Sequence, residues 1–371
     1  MVEKVSVVKC DSYDEGLVLQ KVREALDLIG FKIKKGSKVL LKPNILSAKG
    51  PDEAITTHPS IVNAICKILK EKNCRISIGD SSGMGVFGGT RRAFKKTGIE
   101  EIAHRYNAKL IPFEESEIIY TKINGKILKK IHVSKSVLDA EFIINIPKLK
   151  THALVGYTGA VKNMFGIIPG GKKSDYHKIC GNQASFADLL VDIYNFRKPD
   201  LNIMDGIIGM EGNGPTAGKI KKTGMIIASK SGIALDFVVA KIIDFKTDDI
   251  LTNKALVKRG FKPEIEVVGE KNIRVKYEQP IKTIRKVPGF LIKIFYSLVN
   301  PEIKINKKLC KKCLVCVKAC PAKAINLVNN EIKINRKKCI LCYCCNELCP
   351  ENAIIIRKSF IARFITSIKT G

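Results

Sequence analysis

Nine of the thirteen cysteines fall between Cys310 and Cys349, and eight of them form two quartets of identical spacing. The first is Cys310-x-x-Cys313-x-x-Cys316-x-x-x-Cys320-Pro321; the second is Cys339-x-x-Cys342-x-x-Cys345-x-x-x-Cys349-Pro350, offset by 29 residues. Three thiolates at such short intervals wrap a loop around one iron–sulfur cubane and reach three of its irons. The fourth follows a longer step, opens a short helix and points to the other cubane. The spacing therefore predicts two [4Fe–4S] clusters, one held by Cys310, Cys313, Cys316 and Cys349, the other by Cys339, Cys342, Cys345 and Cys320. Structural zinc prefers two separated ligand pairs and fits this run poorly. Cys344 is a spare thiol beside Cys345.

The repeat extends beyond the cysteines, since Pro321, Ala324 and Ile325 match Pro350, Ala353 and Ile354. Such a duplication needs two equivalent halves, each folded around its own loop. Residues 302–357 resemble bacterial-type two-cluster ferredoxins. The resemblance implies a small α+β dicluster domain acting as a short electron wire. Its charge departs from the acidic character common in free ferredoxins: residues 302–357 hold 12 Lys plus Arg against 4 Asp plus Glu. An acidic redox partner, such as a free ferredoxin, is the expected docking mate.

Other groups able to do chemistry lie in the first 285 residues, at places that only a fold could bring together. Lys42-Pro43-Asn44 follows the apolar run Lys38–Leu41, and Asp80-Ser81-Ser82-Gly83 follows Arg75–Ile78. Lys148, Lys150 and His152 follow Glu141–Ile146, and Asp205-Gly206 follows Leu201–Met204. Further β-rich runs are Val5–Val8, Lys109–Pro112 and Gly224–Ala228. Helical patterns cover Gly16–Ile29, Ser60–Lys70, Thr90–Lys96, Ala184–Asn195 and Ala234–Ile243. This alternation predicts an α/β fold, a mainly parallel sheet with flanking helices. A turn at Asn124-Gly125 predicts an inserted hairpin. In open α/β sheets ligands bind beyond the carboxyl ends of the strands, so the four polar loops should converge on one site.

Lys148, Lys150 and His152 are spaced to share one side of an extended segment. With Lys162-Asn163 and the Gly170-Gly171-Lys172-Lys173 run, they suit a small anionic ligand such as a carboxylate or phosphate. Lys42, Asn44, Asp80 and Asp205 complete the expected binding set, and His58 or His177 would move protons. The plainer reading of each lysine is a solvated face. Gly83-Met84-Gly85-Val86-Phe87-Gly88 matches GxGxxG but does not follow the first strand, so a glycine loop near a bound group is expected, not a dinucleotide site. The Asp205–Asn213 stretch reads as a glycine-rich acidic loop, either a flexible turn or a cation or substrate contact. His177 and Cys180 are a weak metal pair; Cys66, His104 and His132 read as structural.

Lys42-Pro43-Asn44, Thr57-His58-Pro59, Gly79-Asp80-Ser81-Ser82-Gly83, Pro147-Lys148-x-Lys150-Thr151-His152, Gly159-Ala-Val-Lys162-Asn163-Met-Phe-Gly166 and Asp205-Gly206 together resemble a family known as a domain of unknown function, number 362. The resemblance covers residues 1–285 and implies no reaction, although members often carry a C-terminal ferredoxin domain. The expected divisions are an α/β domain over 1–285, a linker helix over 286–300, the dicluster domain over 301–357 and a basic amphipathic tail over 358–371.

Two functions compete. One is an oxidoreductase passing electrons through the clusters to a small anion or cofactor at the α/β domain. The other is an electron-transfer subunit without its own substrate, docked to another redox enzyme. The net charge of +30 favours anionic partners. Nucleic acid is disfavoured, because the charge is spread along the chain, aromatic residues are 6% and no recognition motif occurs. No apolar run is long enough to span a bilayer, and the absence of a leader pattern makes a cytoplasmic location the expectation. A Lys- and Ile-rich chain without Trp suits an anaerobe.

Overall fold

The computed structural model describes residues 2–83, 88–281 and 301–357. The expected linker helix, the tail and Met84–Phe87 of the glycine run lie outside the described residues.

The N-terminal part is built on a ten-stranded sheet. Its strands are β1 (Glu3–Lys9), β2 (Lys38–Pro43), β3 (Arg75–Asp80), β4 (Lys109–Pro112), β7 (Phe142–Ile146), β8 (Lys148–His152), β9 (Gly156–Thr158), β10 (Leu201–Glu211), β11 (Lys219–Ser229) and β12 (Ile265–Gly269). They run in the order β12-β1-β11-β10-β7-β2-β3-β4, with β8 paired to β10 and β9 to β8. Pairing is parallel from β10 across β7, β2 and β3 to β4. It is antiparallel where β11 sits between β1 and β10, and between β8 and β9. The mainly parallel α/β architecture expected from the sequence is thus present.

Period-two alternation sends neighbouring residues to opposite layers. Val39, Leu41 and Ile144 enter the core beneath helices α1 (Glu15–Leu28) and α2 (Pro59–Glu71). Leu40 and Ile143 enter the opposite core, whose main helix is Gln183–Phe196. The hairpin at Asn124-Gly125 forms from β5 (Ile118–Lys122) and β6 (Lys130–Ser134). Asp192 holds its turn by accepting the N–H groups of Lys126, Ile127 and Leu128.

One boundary differs from expectation. The Leu201 strand was expected to end at Met204, with Asp205-Gly206 in a loop beyond it; β10 instead continues to Glu211, through an irregularity between Gly206 and Ile208. The glycines that suggest a turn serve close packing. A Cβ on Gly206 would crowd the Met225 carbonyl, and one on Gly209 the Leu149 carbonyl. Glu211 pairs with Lys221 at 3.4 Å, and Asn213 accepts the Ile281 N–H.

In the C-terminal module, β13 (Glu302–Ile305) pairs with β16 (Ile354–Arg357), and β14 (Ile325–Val328) with β15 (Glu331–Ile334). The duplication is visible in its details. Asn306 N–H donates to Ala353 O and Asn335 N–H to Ala324 O, both at 2.7 Å. Leu314 and Tyr343 are both left-handed, at φ 61° and 60°, and each precedes a short helix, Val315–Ala319 or Cys344–Glu347. Tyr343 and Cys345 belong to the same apolar cluster as Phe165 and Phe186, which seats the module on the α/β domain.

Candidate functional site

Lys42, next to last in β2, and Asp80, last in the adjacent parallel strand β3, lie at the same end of the sheet, so the two side chains meet. Lys42 Nζ lies 2.9 Å from Asp80 Oδ1, with both groups buried. Asp80 also accepts the N–H groups of Ile45 and Ser81. A buried ion pair offsets its desolvation only when the remaining hydrogen-bonding capacity is used, and here it is. Gly166 comes so close that a Cβ would strike both side chains.

Beside this pair runs a chain of four amides. Asn44 Nδ2 donates to Asn163 Oδ1 at 2.8 Å, Asn163 Nδ2 to Asn145 Oδ1 at 2.8 Å, and Asn145 Nδ2 to Asn202 Oδ1 at 2.9 Å. At the far end Asn202 Nδ2 donates to the Ser229 carbonyl. Asn145 and Asn202 were not singled out in the sequence; both sit inside apolar strands, and their polar type at buried strand positions was the available signal.

β8 holds Lys148, Lys150 and His152, but they do not converge. Lys148 Nζ lies 2.8 Å from Asp205 Oδ2 and 2.7 Å from Tyr13 Oη. Asp205 also accepts from Tyr13 Oη and from the His58 backbone N–H, and the His58 ring stacks on Tyr13 at 3.6 Å. Lys148, Asp205 and His58 therefore form a satisfied network of their own. His58 caps α2 by accepting the Ser60 N–H on Nδ1, and burial pushes its pKa down to about 4. Lys150 donates to the Ile55 carbonyl; burial, then repulsion from Lys162, lowers its pKa well below the usual lysine range.

His152 alone of the three lines the cleft between the α/β domain and the cluster module, a space of about 70 Å³. The walls include Lys42, Asn44, Asp80, Thr158, Lys162, Asn163, Lys173 and His177 from the α/β domain, and Cys344, Glu347 and Leu348 from the cluster module. His152 Nδ1 accepts the Leu154 N–H, which places the ring proton on Nε2. That atom faces Glu347 Oε1 at 3.1 Å, within ion-pair range but off the line of a good hydrogen bond. Burial pushes the His152 pKa down to about 4. Burial alone would raise the Glu347 pKa, but His152 and Lys162 hold it below the ordinary carboxylate range.

Lys173 donates to the Ser81 carbonyl, and burial brings its pKa down to about 8. Among the described residues Lys162 makes no ion pair or hydrogen bond, and burial lowers its pKa too. Thr158 Oγ1, also in the wall, is buried without a partner among the described residues. His177 stacks on Phe186 at 4.2 Å and meets Phe165 edge-on at 5.8 Å; burial pushes its pKa down to about 4. Cys180 turns into the apolar core, so His177 and Cys180 do not face a common ion. The sequence reading missed Thr158, Glu347 and Cys344 as cleft residues. Thr158 carries no motif, and the other two belong to a different domain.

The cysteines lie near one another in two groups. Cys316 lies in the field of Cys349, Cys313 and Cys310, and Cys345 in that of Cys342, Cys339, Cys320 and, last, Cys316. Cys310, Cys313, Cys316 and Cys349 line a common hollow. Cys320 Sγ accepts the Ala324 N–H, and Cys349 Sγ the Ala353 N–H, both at 3.2 Å. Such bonds suit thiolates ligating iron. Among the described residues no three His, Cys, Asp or Glu close on a point as they would on one metal ion. Soft sulfur donors arranged around a hollow fit an iron–sulfur cluster.

Residues 39–241 match the family model of a domain of unknown function, DUF362, and residues 302–350 match that of a 4Fe-4S dicluster domain. A thylakoid-associated protein of Synechocystis is 33% identical over 267 residues, covering 71% of this chain and 81% of that protein. The lactate racemase apoprotein from Thermoanaerobacterium thermosaccharolyticum aligns with a TM-score of 0.40 and 15% identity, over 64% of this chain and 56% of that one. A Thermotoga maritima protein aligns at 0.38 and 14%, over 61% and 57%. The chain thus spans somewhat over half the length of these two solved structures. The dicluster match and the cysteine geometry together make the C-terminal module an iron–sulfur electron-transfer unit. Among the described residues no helix is long and apolar enough to cross a membrane.

Proposed function

Because this chain belongs to the DUF362 family, whose name carries no reaction, we propose its function from its own cleft: it is an iron–sulfur oxidoreductase acting on a small anion bound beneath the cluster module. One observation carries this reading. Glu347 sits on the same short helix as Cys345, and it lines the same cleft as Lys42, Lys162 and His177. Electron source and anion site thereby share a wall.

Two [4Fe–4S] clusters fit the eight thiolates, one on Cys310, Cys313, Cys316 and Cys349, the other on Cys339, Cys342, Cys345 and Cys320. When bound, they supply electrons one at a time. Lys162 and Lys173 balance the charge of the anion, while Lys42, neutralised by Asp80, forms part of the wall beside them. Asn44, Asn163 and Thr158 orient it. Lys173 and His177 are placed to exchange protons with it. Lys148, Lys150, Asp205 and His58 lie behind this wall and position it. The basic face of the module suits an acidic electron carrier such as a free ferredoxin.

The test is anaerobic purification with iron and sulfide analysis, followed by titration of small anions while the electron paramagnetic resonance of the reduced protein is recorded. About eight irons per chain are expected, with a spectrum that shifts on anion binding in the native protein and not in Lys162→Met. Failure of every anion to bind, together with stoichiometric capture of another redox enzyme, would favour an electron-transfer subunit with no substrate of its own.

A further inference from the structure

The cleft has two unlike walls. One is cationic: among the described residues Lys162 feels Glu347 across the cleft but makes no hydrogen bond or ion pair with it, Lys173 donates to a carbonyl, and the Thr158 hydroxyl is buried without a partner. The other is made of rings. Phe165 stands perpendicular to both His177 and Phe186, at 5.8 and 5.5 Å, while His177 and Phe186 lie stacked. Phe165 and Phe186 are themselves buried.

We infer that the cleft takes a carboxylate joined to a planar, unsaturated body, with the carboxylate at Lys162 and the body against Phe165 and His177. This rests on the reading of the cleft as a ligand site and names the class of ligand. Inorganic phosphate would satisfy the cations and leave the ring wall facing water. A neutral aromatic would cover the rings and bring no anion within hydrogen-bond reach of the buried Lys162 ammonium, which is costly. A conjugated carboxylate answers both walls, because flat π systems pack well on other rings in offset or edge-on geometry. It is also a chemical class able to accept electrons singly.

The experiment is isothermal titration of the cluster-loaded protein with benzoate, acetate, inorganic phosphate and benzamide. Benzoate should bind about tenfold more tightly than acetate, from the added apolar burial alone, and more tightly than phosphate, with benzamide not binding. Phe165→Leu should remove most of the benzoate advantage and leave acetate unchanged; Lys162→Met should weaken both. If phosphate or acetate binds as tightly as benzoate, the inferred class is wrong while the anion site stands. If none of the four binds, the site itself falls. The native series decides between these outcomes, so a variant that fails to fold does not blunt the test.

Discussion

Glu347 Oε1 lies 3.1 Å from His152 Nε2, so the helix carrying Cys345 touches the last residue of β8. Glu347→Gln keeps the volume and removes the charge facing His152 and Lys162. The cluster-loaded variant should be less stable by about 1–3 kcal/mol, the range for removing the partner of a buried polar or charged group. Urea denaturation followed by circular dichroism would measure it, and an unmoved midpoint would mean that this contact holds nothing.

Lys42 and Asp80 are buried as a pair. Lys42→Met alone strands a buried carboxylate and should cost about 3–5 kcal/mol. Lys42→Met with Asp80→Asn should recover much of that loss. Equal stability of the single and double variants would contradict this account.

Gly83 has φ +28°, and a side chain there would run into Leu348 of the module. Gly83→Val should loosen the seating of the module, seen as faster hydrogen exchange in residues 343–349. Leu348→Ala in the same chain should reverse part of the effect. Exchange rates identical to the native protein would show that the loop does not set the module's position.

His58 and His177 are held neutral by burial, each at about 4, against about 6.5 in an unfolded chain. Between those values the unfolded state takes up protons that the folded state refuses. Their contribution is complete above about pH 6.5, and it is lost as pH falls toward 4. The stability difference between pH 7 and pH 4.5 should shrink in a His58→Asn, His177→Asn chain, Asn being a competent helix cap at residue 58.

Lys307, Lys308, Lys311 and Lys312 lie close in sequence to Cys310 and Cys313, and Cys313 is exposed. Reduction by an acidic ferredoxin should slow with added salt, since exposed charges are screened beyond about 8–10 Å at physiological ionic strength. Stopped-flow rates independent of salt would remove this docking face.

Much of this structure was legible in the residues. The duplicated Cys loops and the parallel α/β sheet follow from spacing and strand ends. Asp205 was misplaced because Gly206 and Gly209 read locally as a turn, whereas they admit neighbouring backbone to a strand that continues. Lys148 was separated from His152 because alternation gives only the side of the strand; Tyr13 and Asp205, distant in sequence, decide where the ammonium ends. Glu347 was invisible as a cleft residue because the seating of one domain on another leaves no periodic trace.

The carbonyl of Ser229 can only accept, so Asn202 must turn its NH₂ toward it, and every amide up the line must then face the same way. The last of them, Asn44, is left with an oxygen that no group among the described residues answers. A carbonyl on β11, separated from β2 by β10 and β7, thereby dictates a polarity at the cleft. An incoming molecule meets a lone acceptor whose orientation cannot flip unless four side chains flip together.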